Sequence, residues 1–206
     1  MRRHLCAEYD WSHSLLDEME TPCNPATLYG RAKHGLQTIL AAAARLDEVS
    51  LAWGRIFFLY GPGKKRGRLV RDIIAGLLTG QPVETTAGTQ IRDFLHVADV
   101  AGAFAALCDT AIEGPVNNAS GEPRSLARVM RMLSEMTDNS HLLQHGARPT
   151  PPGDPAELTA TVNHLRGEVG FAPEFDLENG LRDTVSWWGE QLHRNEETPD
   201  LREMKS

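Results

Sequence analysis

The segment VSLAWGRIFFLYG, residues 49–61, constrains the fold more than any other stretch of this chain. It is apolar, β-branched and aromatic, and it stops at the breaker Gly61-Pro62-Gly63. Such a run reads as a buried strand. Before it, the Ala- and Leu-rich stretch from Thr27 to Asp47 contains no proline and reads as a helix. After it, RLVRDIIAGLLTG reads as an amphipathic helix closed by Gly80. A buried strand between two helices calls for a sheet.

The alternation continues. PVETT and IRDFLHV read as short strands around a turn at Ala87-Gly88, VADVAGAFAALCDT as a small-residue helix, and GPVNNAS as a strand. SLARVMRMLSEMT reads as a helix capped by Ser125, RPTPPGDP as an irregular loop, and VNHLRGEVG and LENGLRDTVSWWGEQLH as two further helices. The expected organisation is one unit over residues 1–193, followed by a polar, disordered tail over 194–206. Alternating strands and helices argue for an α/β fold with parallel pairing. Residues 4–9 read as the end of a strand and 10–26 as a polar loop. At most one strand therefore precedes Tyr29, so the expected architecture is a partial, N-terminally truncated Rossmann-like sheet with a small C-terminal substrate-binding subdomain.

Composition removes several function classes. A net charge of −7 argues against a nucleic-acid surface or an anionic membrane as the main partner. Cys6, Cys23 and Cys108 form no CxxC pair and no even-numbered disulfide framework, which fits a reducing cytoplasm. The longest apolar run, ILAAAARL, is too short to cross a bilayer. His141 and His145 share a helical spacing, but no carboxylate or cysteine pattern accompanies them, and no metal site is expected.

Tyr29 and Lys33 stand four apart at the entrance to the first helix, where positions i and i+4 share a face. Three further segments accompany them in order. The set is P-x-T-x-Y-G-x-x-K at Pro25 to Lys33, R-x-F-x-x-Y-G-P-G at Arg55 to Gly63, R-D-F-L-H-V-x-D-V-A at Arg92 to Ala101, and GPVNNASGEPRSL at 114–126. With these pieces the chain resembles the extended short-chain dehydrogenase/reductases, the NAD-dependent nucleotide-sugar epimerases and dehydratases, over about residues 6–190. The resemblance implies hydride transfer between a sugar carbon and NAD or NADP, with Tyr29 as the acid/base. An isolated phenol titrates near 10, and a neighbouring ammonium favours the phenolate. Lys33 supplies that ammonium and holds the nicotinamide ribose. Phe57 borders the nicotinamide through its backbone, Phe58 faces the sugar nucleotide, and Arg92 contacts the diphosphate, where a planar fork suits phosphate oxygens.

The chain also departs from the family pattern. It has no G-x-x-G-x-x-G loop to receive a pyrophosphate. Leu5 falls where relatives have a Ser or Thr that bonds the substrate alcohol, and Leu5-Cys6-Ala7 replaces the dehydratases' Thr-Asp-Glu run, so epimerase or ketoreductase chemistry is the better match. Phe58 replaces an asparagine. Pro151 occupies the place of a phosphate-binding arginine, with Arg148 three residues earlier. The basic loop GPGKKRGR lacks the GxxxxGK[ST] spacing and reads as a solvated loop. The expected partners are a nucleotide-sugar and either a second copy or a chain that covers the exposed sheet. The alternatives are a non-catalytic interaction module and one half of a split enzyme.

Overall fold

The structure is a computed structural model that describes residues 5–197. It is α/β. Among the described residues, nine short strands are β1 (Leu15–Leu16), β2 (Ala52–Ile56), β3 (Phe58–Tyr60), β4 (Val83–Glu84), β5 (Ile91–His96), β6 (Gly114–Asn118), β7 (Pro123–Ser125), β8 (Leu143–Gln144) and β9 (Glu157–Ala160). Five α-helices alternate with them: α1 (Leu28–Leu46), α2 (Leu69–Leu78), α3 (Val97–Cys108), α4 (Leu126–Met136) and α5 (Leu177–Glu197). The main sheet runs β1-β9-β5-β3, with β7 antiparallel on β5, while β2 pairs with β6 and β4 with β8. Every pairing except β5–β7 is parallel.

Local chemistry sets the helix ends. Thr27 caps α1 by accepting the Gly30 N–H at 3.0 Å, and Ser125 caps α4 by accepting that of Arg128. Gly80, at φ 67°, lets the chain turn away after α2. Helices α2 and α4 bury Val70, Ile73, Ile74 and Leu77, and Leu126, Val129, Met130 and Leu133, at the i, i+3, i+4, i+7 spacing of one helical face. With Tyr60 and Leu181 these residues form a helical core. A second core gathers Tyr9, Leu16, Phe57, Phe58, Val116, Leu158 and Leu165 around the strands. Phe94 packs against both.

Three sequence expectations need correction. Leu5–Glu8 is a 3₁₀ turn rather than a strand end. Its Glu8 carboxylate is buried, accepts the Trp53 indole N–H at 3.0 Å and lies 3.6 Å from the Arg55 guanidinium, so side-chain pairing rather than strand pairing fixes this segment. The single strand expected over 49–61 is two. Their break falls at Phe57, whose N–H reaches Asn118 O (3.1 Å) at the end of β6 before β3 pairs with Phe94–His96. Finally, α5 runs through Glu197, so residues 194–197 are helical, and the rest of the expected tail lies outside the described residues. No helix among the described residues is long and apolar enough to cross a membrane.

Gly30 explains the glycine beside Tyr29. A Cβ there would strike the Ala7 carbonyl oxygen and crowd Pro25, so α1 can lie against the 3₁₀ turn only without one. Gly35, one and a half turns on, has open space around it. Gly30→Ala should therefore lower the unfolding free energy by about 1–3 kcal/mol, the range for overpacking. Gly35→Ala should raise it by about 0.4–1 kcal/mol through backbone entropy. Urea denaturation of the two variants checks the pair; equal effects would mean that α1 does not press on residues 5–8.

Candidate active site

The segment Arg92–Asp99 places four buried ionisable side chains, and each engages a different part of the chain. The Arg92 guanidinium, only 1% exposed, pairs with Asp154 at 3.1 Å and donates to Pro155 O and Ile91 O, both at 2.7 Å. Gln90 also donates to Asp154, at 3.1 Å. Asp93 accepts from the backbone and hydroxyl of Ser120 (2.6 and 2.7 Å) and from Gly121 N (2.8 Å). Asp99 accepts from Glu174 N (2.8 Å) and Phe175 N (3.2 Å). The ion-pair partner of Arg92, Asp154, lies 62 residues away in the chain.

His96 completes the set. Its Nδ1 accepts the Ala98 N–H at 3.4 Å, and its Nε2 lies 3.2 Å from Asp183 Oδ2 on α5. The ring packs on Phe175 with centroids 4.2 Å apart and meets Tyr60 edge-on. Burial holds the imidazole below the ordinary histidine value, outweighing the pull of Asp183 and Asp99.

Beside this framework lies a cavity of about 440 Å³ between β3, the loop 61–68, α2 and β4. Phe58, Tyr60, Val70, Ile73, Val83 and Phe94 give it apolar walls. Five cations line it, Lys64, Arg68, Arg71, Arg92 and Arg148, against two acids, Asp72 and Glu84. Arg71 is spoken for, being 3.3 Å from Asp72 and stacked over Trp188. Among the described residues, neither Lys64 nor Arg68 has an ion-pair partner. Burial, and then the charge of Arg68, lowers the Lys64 pKa. Arg68 also occupies the N-cap of α2 without a side-chain cap.

The structure brings together some of the residues singled out from sequence. Phe58 and Arg92 meet in the cavity wall, with the guanidinium carbon 5.4 Å from the ring centroid. Tyr29 and Lys33 sit half-buried on the first turns of α1, outside the lining of that cavity. The Phe57 side chain is wholly buried in the strand core, leaving only its backbone to face a ligand. The loop GPGKKRGR is not simply solvated: Lys64, Gly67 and Arg68 belong to the cavity. The signal for it was a basic cluster placed directly before a helix start that has no Ser, Thr, Asp or Asn to cap it.

A model of the NAD dependent epimerase/dehydratase family matches residues 6–119. The chain belongs to this family. The matched span holds Tyr29, Lys33, Phe58 and Arg92. UDP-glucose 4-epimerase of Corynebacterium glutamicum is 29% identical over 196 residues, covering 84% of this chain and 59% of the relative. The solved structure of MoeE5 with UDP-glucose and NAD is 31% identical, with a TM-score of 0.78 over 90% of this chain and 63% of its own. UDP-glucose 4-epimerase of Thermotoga maritima with UDP-glucose shares the fold at TM-score 0.80 and 24% identity, over 86% of this chain and 58% of that one. The chain spans about half the length of the curated relatives it matches, from 41% to 59% of each.

The His96 linkage has a sign. The native fold prefers the neutral imidazole, so below the ordinary value near 6.5 the unfolded chain takes up a proton that the native protein resists. Its contribution to stability is complete above that range and declines as pH falls through it. Unfolding free energies measured from about pH 7.5 to about pH 5 should fall, and His96→Gln should flatten the slope. An unchanged slope in the variant would place the dependence elsewhere.

Proposed function

We propose that this chain binds a nucleotide-sugar in the 440 Å³ cavity and presents it to a Tyr29–Lys33 acid/base pair for NAD(P)-dependent epimerisation or reduction. One observation carries the reading: Lys64 and Arg68, two cations without ion-pair partners among the described residues, share an apolar-walled cavity with the buried Arg92. Apolar walls suit a base and ribose, and clustered cations suit a diphosphate. Arg92 is rigid, because Asp154 and three backbone carbonyls hold its fork in place. Lys64 and Arg68 lie on a loop and supply the adjustable charge.

In the bound state NAD(P) would accept or return the hydride. Tyr29 would exchange the proton of the sugar hydroxyl, and Lys33 would hold the phenolate form and the nicotinamide ribose. The half-buried placement of both on one helical face fits the nicotinamide-riboside end of the cofactor. The sequence offers no glycine-rich loop for the pyrophosphate. Two side-chain contacts do not readily offset the immobilisation of a dinucleotide, at least ~4 kcal/mol. The chain alone should therefore show no saturable NAD binding below about millimolar. A micromolar NAD titration would contradict this part of the reading.

A second reading is supported by α1, which buries only Gly30 and leaves Leu28, Ile39 and Leu46 77%, 68% and 85% exposed. An apolar helix face of this kind calls for another polypeptide. The chain would then act as a binding module or as half of a split enzyme. Nucleotide-sugar binding separates an occupied site from a bare interaction module.

The direct test is titration with UDP-glucose. Lys64→Ala with Arg68→Ala should weaken UDP-glucose binding by about ten- to a hundredfold, since a charge-assisted hydrogen bond contributes about 1.5–3 kcal/mol. Uridine, which has no phosphate, should bind the variant as it binds the parent. Equal losses for both ligands, or none for either, would remove the diphosphate from this cavity. Arg92→Ala is the poorer probe, because it also strands the partly buried Asp154 and should destabilise the fold.

A further inference from the structure

One cation of the cavity remains unassigned. Arg148 follows β8, and its Nε lies 3.2 Å from Glu84 Oε2 at the end of β4, both residues lining the cavity. The backbone at this point is fixed: Thr85 N bonds Gln144 O at 3.0 Å, and Arg148 N bonds Thr85 O at 3.0 Å. The side chains are not buried, with Arg148 65% and Glu84 51% exposed. An ion pair this wet contributes only about 0–1 kcal/mol, so it opens at little cost. Only Nε is used; among the described residues no hydrogen bond engages either terminal nitrogen of Arg148. The other acid of the cavity, Asp72, is already occupied by Gly67 N and Arg71. Among the described residues Glu84 has no such backbone donor.

We infer that Glu84 and Arg148 form an exchangeable latch. In the unliganded protein Glu84 holds Arg148, and a ligand diphosphate displaces Glu84 and takes the guanidinium fork, opposing the fixed Arg92. Phosphate is the better partner because it accepts two parallel N–H bonds and carries more charge than one carboxylate. Glu84 is thus a built-in competitor that sets affinity for the phosphate part of the ligand and leaves the base and ribose unaffected. This inference rests on the nucleotide-sugar reading of the cavity.

The experiment is calorimetric titration of the full chain with UDP and, separately, with uridine, for the parent, Glu84→Gln, Arg148→Ala and the double variant. Both side chains are exposed, and the backbone bonds of residues 85 and 148 do not depend on them, so thermal melts should match the parent. Glu84→Gln should bind UDP about two- to fivefold more tightly, Arg148→Ala about tenfold more weakly, and neither should change uridine binding. In the double variant the gain from Glu84→Gln should vanish. If Glu84→Gln leaves UDP affinity unchanged, or improves it equally without Arg148, the latch is overturned while the cavity remains a nucleotide site. If the parent binds neither UDP nor uridine, the underlying reading and the latch fall together.

Discussion

Buried charge along β5 and the first turn of α3 is what the rest of the structure depends on. Arg92, Asp93, His96 and Asp99 are each nearly or wholly removed from water, and each faces a polar partner on a segment distant in sequence: residues 154–156, 120–121, α5 and 174–175 respectively. Removing one partner of a buried ion pair costs about 3–5 kcal/mol, because the remaining charge is left stranded. The loops therefore cannot leave without exposing the price of a bare ion. The polar letters of RDFLHVAD are largely an internal scaffold, and the cavity lies beside it. Arg92 belongs to both, since its guanidinium closes the scaffold and also forms part of the cavity wall.

That division explains the distribution of rigidity. Phe58, Arg92 and Phe94 sit on strands fixed by pairing and by buried salt links. The adjustable charge comes from residues 64 and 68 on a loop and from Arg148 at the surface. A fixed apolar floor with cations on a loop and at the surface along its edge suits a ligand with one hydrophobic end and one charged end. Helix α1 is organised differently. It meets residues 5–8 at Gly30, accepts a hydrogen bond from Arg55 through Gln37, and turns Leu28, Ile39 and Leu46 to solvent.

Much of the architecture was legible because it depends on short-range rules. The caps at Thr27 and Ser125, the stop at Gly80 and the buried stripes of α2 and α4 follow from residue type and spacing. What escaped the sequence depends on partners far along the chain. Strands β1, β7, β8 and β9 are two to four residues long and carry no periodic pattern; they exist because β5, β4 and one another offer free edges. The division of VSLAWGRIFFLYG at Phe57 is decided by the length of β6. Phe58 and Arg92 could be named from their segments, but the pairing of Arg92 with Asp154 and the inclusion of Lys64, Arg68, Glu84 and Arg148 in one cavity required the fold.

The central claim is that the cavity beside β5 is where a nucleotide-sugar docks, with the scaffold beneath it unmoved. Backbone amide NMR of the chain titrated with UDP-glucose tests this residue by residue. The account requires shifts confined to the cavity residues 58–61, 64–73, 82–86, 92, 94 and 148 and to residues 29–33 where the sugar is presented, with Ser120, Gly121, Glu174 and Phe175 unchanged because Asp93 and Asp99 hold them. Shifts concentrated on α1 beyond residue 33, or spread evenly over the chain, would contradict it.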